Sequence, residues 1–251
     1  MATTPTNRIC VVTGAARGIG AATARLAGQR GYAVVVNYLK AAAEAEAVVA
    51  EILRDGGRAI ALRADVASEK DVAALFAAVD REFGSVTDLV NNAGIASARR
   101  SVAEFGADEL RRVIEVNLLG TFFCTQEAVK RMAQSTGGSG GSIVNLSSIA
   151  ARTGGYHLSP YAATKAAIEA MTTSLARELA AEAIRVNAVS PGIIATNQQP
   201  LGDAAWKSSA AARVPLGRLG TADEVAQAIL WLLSEEATYV SGANLAVSGG
   251  I

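Results

Sequence analysis

A tyrosine, a lysine and a serine are the residues of this chain whose types and spacing best suit acid–base chemistry. Tyr161 and Lys165 are four residues apart, and Ser148 precedes the tyrosine by thirteen. In a helix, a spacing of four places two side chains on one face, with Cβ atoms about 5–6 Å apart. A nearby ammonium in a dry pocket lowers the pKa of a phenol from its usual value of about 10. Such a phenol exchanges protons near neutral pH, as hydride transfer at a carbonyl or alcohol requires.

Taken alone, the pair is also typical of an ordinary amphipathic helix with a solvated lysine, so the surrounding elements must decide. Short apolar runs alternate along the chain with longer amphipathic segments. The runs are apolar on both faces, as in parallel strands covered by helices on each side. They predict seven strands, at Ile9–Thr13, Ala33–Asn37, Ala59–Ala64, Leu89–Asn91, Ser142–Leu146, Arg185–Ser190 and Asn244–Val247.

The amphipathic segments predict helices between these strands. Gly31 stands where a helix-terminating glycine belongs, and Thr221 with Glu224 has the spacing of a capping box. The alternation predicts an α/β fold in which a doubly wound parallel sheet is flanked by helices, in one domain spanning residues 1–251. The helices are expected near Ile19–Arg30, Ala42–Asp55, Ser68–Phe83, Ala107–Ala133, Tyr161–Ala181 and Thr221–Leu233.

The composition gives no sign of a macromolecular partner. Of the 251 residues 51% are hydrophobic, and 23 Lys and Arg balance 23 Asp and Glu, which argues against a nucleic-acid or membrane-binding surface. Cys10 and Cys124 lack the spacing of metal ligands and are predicted to be buried thiols, so no metal site is expected. The polar N-terminus and the absence of a long apolar run predict a cytoplasmic protein.

A glycine-rich turn follows the first predicted strand and opens a helix. Gly14, Gly18 and Gly20 stand in the segment Thr-Gly-Ala-Ala-Arg-Gly-Ile-Gly at 13–20. Glycines at such a junction allow a tight turn and bring amide N–H groups close to a pyrophosphate, which the helix dipole also attracts. The same glycines also fit an ordinary strand-to-helix turn, so this loop alone does not establish a dinucleotide site.

Six motifs in order make the chain resemble the short-chain dehydrogenase/reductase family over essentially its whole length. They are the glycine loop at 13–20, Asn-Asn-Ala-Gly at 91–94, Asn117, Ser148, the Tyr161/Lys165 pair and Pro-Gly at 191–192. The overall similarity is greatest to glucose-dehydrogenase-like and 3-oxoacyl-reductase-like members. The resemblance implies a single-domain Rossmann fold and a nicotinamide cofactor.

The resemblance also implies which residues contact that cofactor. Asp65 is expected to bind the adenine amino group, with the backbone of Val66 at the ring edge. The turn at 91–94 is expected to pack against the adenosine ribose, and the segment from Pro191 to Thr196 to position the nicotinamide. Asp65 as a helix cap and Pro191-Gly192 as a turn are the plain alternatives. The expected contacts are Gly14, Arg17, Gly18, Ile19, Gly20, Asn37, Tyr38, Asp65, Val66, Asn92, Ala93, Gly94, Tyr161, Lys165, Pro191, Gly192, Ile194 and Thr196.

The charges near the second strand favour NADP(H) over NAD(H). NAD-preferring Rossmann enzymes end this strand in an Asp or Glu, which binds the ribose hydroxyls and repels a 2′-phosphate. Here Asn37 and Tyr38 stand there, and the next carboxylate is Glu44. Arg17 lies where NADP-using family members commonly carry a base, and a guanidinium suits phosphate recognition. Lys40 either adds a second positive charge or is solvated.

The resemblance assigns four catalytic roles. Tyr161 is the general acid in reduction and the base in oxidation, and Lys165 lowers its pKa and binds the nicotinamide ribose. Ser148 donates a hydrogen bond to the substrate oxygen. Asn117, flanked by apolar residues in a long predicted helix, holds a water that links Lys165 to solvent. The substrate is expected to be a small carbonyl compound or secondary alcohol.

Three questions stay open from the sequence. Arg99 and Arg100 either meet an anionic group of the substrate or are solvated, and His157 and Trp206 either border the substrate pocket or lie outside it. A nicotinamide-sensing protein without turnover is the alternative to an enzyme, and an NAD-dependent sugar or alcohol dehydrogenase is the alternative within the family. A homotetramer is expected, with a monomer as the alternative, because the helices around 107–133 and 161–181 and the C-terminal tail carry surplus small and apolar residues.

Overall fold

The computed structural model describes residues 8–195 and 204–251, and it contains the predicted parallel sheet. The strands are β1 Ile9–Val12, β2 Ala33–Tyr38, β3 Arg58–Arg63, β4 Asp88–Asn91, β5 Gly141–Leu146, β6 Ile184–Pro191, β7 Ile194–Ala195, β8 Gly220–Thr221 and β9 Asn244–Val247. Seven of them form one sheet in the order β3-β2-β1-β4-β5-β6-β9, with every pair parallel. All seven predicted strands are confirmed, and no end differs by more than one residue.

The helices occupy the connections between strands. They are α1 Gly18–Gln29, α2 Ala42–Arg54, α3 Glu69–Glu82, α4 Ala107–Ile114, α5 Gly120–Met132, α6 Ala150–Thr153, α7 Ser159–Glu178, α8 Ala204–Ala211 and α9 Ala222–Leu233. The predicted capping box is present at α9, where Thr221 and Glu224 bond reciprocally. Gly31 adopts a φ of +85° directly after the end of α1, as predicted. The short α6, α8, β7 and β8 were not predicted, because two to eight residues carry too little periodicity.

Two apolar cores lie on opposite faces of the sheet, because successive side chains of a strand point to opposite sides. Val12 belongs to the cluster formed with α1, α2 and α9. Its neighbour Val11 belongs to the cluster formed with α3, α5 and α7. Both valines are fully buried, which explains why the predicted strands are apolar without alternation.

The long helix predicted over Ala107–Ala133 is interrupted. A π-helical segment, Glu115–Leu119, separates α4 from α5. Asn117 lies within it, and its side chain bonds the backbone of Ile95 in both directions. A π-helical turn inside an α-helix often marks a functional site, and this one turns a buried amide toward the loop after β4.

The order of the strands creates a crevice at one edge of the sheet. The chain runs from β1 outward to β2 and β3, then returns to β4 on the other side of β1. At such a switch point the connections after the two central strands diverge, which opens a crevice beyond their carboxyl ends. Among the described residues, no helix is long and apolar enough to cross a membrane.

Candidate active site

A cleft of about 540 Å³ lies at this switch point, within the usual size range of small-molecule sites. Its walls come from the ends of β1 to β6 and from α1, α4 and α7. The structure brings together in these walls the predicted residues Gly14, Arg17, Gly18, Ile19, Asn37, Tyr38, Asp65, Val66, Asn92, Ala93, Gly94, Ser148, Tyr161, Lys165, Pro191, Gly192 and Ile194. Thr196 lies outside the described residues.

The glycine loop forms a cradle that side chains would fill. Gly14 and Gly18 adopt φ angles of +61° and +58°, which favour glycine. A Cβ on Gly20 would lie 2.5 Å from the Asn92 amide nitrogen and 2.6 Å from the Gly14 carbonyl oxygen. α1 starts here with no side-chain cap and no acidic residue in its first turn, so its amide N–H groups and dipole can accept an anion. The loop therefore fits the pyrophosphate of a dinucleotide.

Side chains after β4 hold this cradle in place. Asn92 donates from Nδ2 to the carbonyl oxygens of Thr13, at 2.8 Å, and Gly14, at 3.1 Å. The Thr13 hydroxyl accepts from the backbone amides of Asn92 and Ala93, both at 3.0 Å. The 91–94 turn thus fixes the glycine loop, a role that the sequence motif did not reveal.

Asn37 supports the same loop from the other side, because its side chain bonds the backbone. Only 1% exposed, it accepts from the Gly14 amide at 3.2 Å. Its Nδ2 donates to the carbonyl oxygens of Leu62 and Ala64 at 3.3 and 3.2 Å. The hydrogen-bonding groups of this amide are therefore used by the backbone, and the next residue, the half-buried Tyr38, also lines the cleft at the end of β2.

The far end of the cleft, beyond β3, carries an ion pair. Asp65 accepts from Arg112 Nη2 at 3.0 Å and from the Ala67 amide at 3.0 Å. Arg112 comes from α4 and lines the cleft. Val66, 6% exposed, packs against Gly120 of α5, where a Cβ would lie 2.9 Å from its Cγ2. Arg112 was missed from the sequence, because its partner lies 47 residues away.

Ser148, Tyr161 and Lys165 converge at the other end of the cleft. The Ser148 hydroxyl lies close enough to Tyr161 to lower the pKa of its phenol. Lys165 places its ammonium 5.7 Å from the centre of the Tyr161 ring and donates to the Leu146 carbonyl oxygen at 2.6 Å. The short helix α6 begins two residues after Ser148, and the Ser148 hydroxyl accepts from the Ala150 amide at 3.1 Å.

The electrostatics of this group differ from the prediction. Burial raises the pKa of Tyr161, although the hydrogen bond from Ser148 acts in the opposite direction. Burial also lowers the pKa of Lys165 to about 8. The prediction that Lys165 brings the pKa of Tyr161 below its usual value is therefore wrong for the polypeptide alone. The physical reason is that both groups lose water, and desolvation disfavours each charged form.

Asn117 joins three parts of the site. Its Oδ1 accepts from the Ile95 amide at 2.8 Å, and its Nδ2 donates to the Ile95 carbonyl oxygen at 3.0 Å and to Thr164 Oγ1 at 3.1 Å. A Cβ on Gly94 would lie 3.3 Å from Asn117 Oδ1 and 3.6 Å from Lys165 Nζ. Asn117 and Lys165 therefore flank the same glycine, and Asn117 fixes the loop after β4 against α7.

The segment after β6 closes the wall next to Ser148. The Pro191 carbonyl accepts from the Ile149 amide at 3.1 Å, and the Gly192 amide donates to the Val247 carbonyl at 2.9 Å. A Cβ on Gly192 would lie 2.7 Å from Ser248 Cα, so only glycine fits. Ile194 is 6% exposed and lines the cleft from β7.

Two loops beyond the cleft are bonded to each other. Arg99 donates to the Tyr156 carbonyl at 3.0 Å, and the Arg100 amide donates to the His157 carbonyl at 3.3 Å. His157 adopts a φ of +59°, which is uncommon for a residue with a side chain. None of these side chains, nor that of the half-buried Trp206 in α8, is among the residues that line the cleft.

Comparisons with known proteins agree with this geometry. A family model described as enoyl-(acyl carrier protein) reductase matches residues 14–251. The chain is 46% identical over 245 residues to the uncharacterized oxidoreductase YgfF of Escherichia coli (strain K12), covering 96% of this chain and 99% of that protein. It is 47% identical over 244 residues to the cis-4-hydroxycyclohexanecarboxylate dehydrogenase of Sinomonas cyclohexanicum, covering 97% and 96%. It is 38% identical over 241 residues to the 3-oxoacyl-[acyl-carrier-protein] reductase FabG of Staphylococcus aureus (strain Mu50), covering 96% of each.

Proposed function

Because this chain belongs to the short-chain dehydrogenase/reductase family of oxidoreductases, we propose that it transfers hydride between NADP(H) and a small carbonyl or secondary alcohol. The observation that carries the proposal is one continuous cleft. A glycine cradle and a helix N-terminus form one part of its wall, and Ser148, Tyr161 and Lys165 form another. A dinucleotide would extend along this cleft, with its pyrophosphate at the glycine cradle and its nicotinamide beside the hydroxyls of Ser148 and Tyr161.

Each of the three side chains has a distinct task. NADP(H), when bound, supplies or accepts the hydride. Tyr161 gives a proton to the carbonyl oxygen in reduction and removes one from the alcohol in oxidation. Ser148 donates a hydrogen bond to the same oxygen and stabilises the negative charge that develops there. The ammonium of Lys165 would bind the nicotinamide ribose and so position the cofactor beside Tyr161.

The preference for NADP(H) rests on positive charge at the adenosine side of the cleft. Arg17 is exposed at the start of α1, and Lys40 is exposed just beyond β2, and both line the cleft. Tyr38 presents a neutral phenol where NAD-preferring enzymes present a carboxylate. A 2′-phosphate therefore meets two cations and no acid at this end of β2.

Kinetics with both cofactors test the proposal. The purified protein is assayed with equal NADPH and NADH against a ketone panel that includes 4-oxocyclohexanecarboxylate and a 3-oxoacyl thioester, because two relatives are named for related chemistry. We expect kcat/KM to be at least about tenfold higher with NADPH, a difference of about 1.4 kcal/mol. A preference for NADH would overturn the cofactor assignment. Tight cofactor binding without any turnover would favour the sensor alternative.

We also propose that the protein acts as a homotetramer in a reducing compartment such as the cytoplasm. Ile114, Leu119 and Phe122 form an apolar strip across α4, the π-helical segment and α5, and they are 44%, 39% and 38% exposed. β9 lies at an edge of the sheet, and Tyr239 just before it is fully exposed. The apolar strip on α4 and α5 supports one interface, and the sheet edge at β9 supports a second. Both cysteines are buried as free thiols, in keeping with a reducing compartment.

A further inference from the structure

A half-buried carboxylate behind Ser148, Tyr161 and Lys165 joins the elements that carry these three residues. Glu169 lies on α7 one turn beyond Lys165, and its side chain is 20% exposed. Its Oε1 is 3.1 Å from the hydroxyl of Ser147 and 3.1 Å from the hydroxyl of Ser190. Ser147 immediately precedes Ser148, and Ser190 immediately precedes Pro191. Oε1 of Glu169 therefore contacts the residue before Ser148 and the residue before Pro191, which both belong to the candidate active site.

The count of protons shows which bonds form. Each serine hydroxyl has one proton but two acceptors in range, the second being the Lys165 carbonyl for Ser147, at 3.0 Å, and Asn244 Oδ1 for Ser190, at 2.8 Å. Bonds to an ionised carboxylate are roughly twice as strong as neutral ones. Both protons therefore go to Glu169.

The amide of Asn244 agrees with this assignment. Its Nδ2 is buried and has no partner among the described residues, whereas its Oδ1 faces the Ser190 hydroxyl. Exchanging the amide oxygen and nitrogen, which look alike in most structures, lets Nδ2 donate to Ser190 Oγ. Ser190 is then free to donate to Glu169. The hydrogen bonds run in one direction, from β9 through β6 to α7.

We propose that Glu169 is a positioning residue for the proton transfer, and this inference rests on the proposed function. Ser148 stands at the end of β5 and Tyr161 on α7, so their separation depends on how firmly the helix is fixed to the strand ends. The flanking backbone ties Ser148 to β6 through Ser147 N to Val189 O at 2.8 Å. Glu169 ties α7 to the same two strand ends.

The helix has a second anchor that keeps the proposal testable. Asn145 Nδ2 donates to Thr172 Oγ1 at 3.0 Å, almost one turn beyond Glu169. Loss of the carboxylate therefore leaves α7 docked and loosens the turn that follows Lys165. A misplacement of about 1 Å lowers a rate by as much as about 100-fold. Cofactor affinity depends on the glycine cradle and changes little.

Variants at this residue separate geometry from charge. Glu169→Ala removes the one oxygen that accepts from both hydroxyls, and we expect kcat to fall by about 10- to 100-fold with cofactor Kd within about twofold of the wild type. Glu169→Gln keeps an amide oxygen that accepts both protons, and kcat is expected to stay within about threefold. Glu178→Ala, which removes an exposed carboxylate from the same helix, is the matched control and should leave kcat unchanged.

Two further measurements complete the test. The double variant Ser147→Ala/Ser190→Ala keeps the carboxylate and its 3.5 Å contact with Arg152 but removes its two hydroxyl partners, and it should reproduce the kcat loss of Glu169→Ala. The ratio of kcat in H₂O to kcat in D₂O should rise in Glu169→Ala, because proton transfer becomes slower; a change in stability alone would not alter this ratio.

A kcat of Glu169→Ala within about twofold of the wild type would overturn the inference, as would an equal loss in Glu169→Gln. A wild type that turns over no ketone contradicts the proposed function instead, so the two failures are distinguishable.

Discussion

Replacing Lys165 with methionine should stabilise the protein without cofactor while abolishing its activity. Lys165 is 4% exposed, and burial lowers the pKa of its ammonium from 10.5 to about 8. At roughly 1.4 kcal/mol per pH unit, this difference means that the buried charge lowers the free energy of unfolding by about 3 kcal/mol at neutral pH. Methionine fills a similar volume without a charge. It forfeits the bond to the Leu146 carbonyl, worth about 1 kcal/mol, so the expected net gain is about 2 kcal/mol.

The difference in the free energy of unfolding between the variant and the wild type should change with pH. The unfolded state keeps the Lys165 proton up to about pH 10.5, whereas the folded state releases it near pH 8. Between these values the unfolded state binds more protons, so the wild type gains stability as pH rises. The variant lacks this gain. Its advantage should therefore be greatest below pH 8 and shrink by about 3 kcal/mol toward pH 10.5.

Urea unfolding at pH 7 and pH 10, followed by tryptophan fluorescence at one protein concentration, measures the difference. Cys10 and Tyr32 also have pKa values raised by burial, but they contribute equally to both proteins and cancel. Equal stability at pH 7, or a difference that does not change with pH, would refute the argument that Lys165 is a buried cation. A large excess of NADPH should reverse the order of stability if Lys165 binds the cofactor.

Four further outcomes are expected. Tyr161→Phe should lower kcat by at least about 100-fold and leave cofactor Kd unchanged, and a residual activity above about a tenth would exclude Tyr161 as the acid. Tyr38→Asp should move cofactor preference toward NAD(H), measured as the ratio of kcat/KM values, because it sets a carboxylate against the 2′-phosphate. Asn37→Asp, by contrast, should lower the free energy of unfolding by at least about 2 kcal/mol, and an unchanged urea midpoint would contradict this. Light scattering should give the mass of a tetramer, and substituting Phe122 with Glu should lower it; a monomeric wild type would refute the interfaces.

The sheet could be predicted from the sequence because its information is local. Val11 and Val12 point to opposite cores and are both fully buried, so each strand is a short uninterrupted apolar run between polar turns. The capping residues Thr221 and Glu224 likewise act within four residues of each other. The π-helical segment was beyond such reasoning. Asn117 bonds Ile95, 22 residues earlier, and no periodicity in 107–133 encodes that contact.

The candidate site was predictable in its membership but less so in its geometry. Motif spacing identified Asn37 as a residue at the end of β2, yet not that its side chain turns inward to the carbonyl groups of Leu62 and Ala64. The prediction for the pKa of Tyr161 failed for a related reason. Spacing placed a cation near a phenol, but the pKa depends on how much water both groups lose, and only the folded structure sets that.

Three buried asparagines bond the backbone in the same way at different places around the sheet. Asn37, Asn117 and Asn187 each accept from one backbone N–H and donate to a backbone C=O, at the glycine loop, at Ile95 and at the turn before β9 respectively. The backbone of a loop that leaves a parallel sheet loses the hydrogen-bond partners of the neighbouring strand. A short amide side chain supplies both a donor and an acceptor in their place. A carboxylate can only accept, so it would face two carbonyl dipoles. This explains why an Asp that suits NAD(H) recognition cannot simply take the place of Asn37, and why Tyr38 is the better position at which to test the proposed cofactor preference.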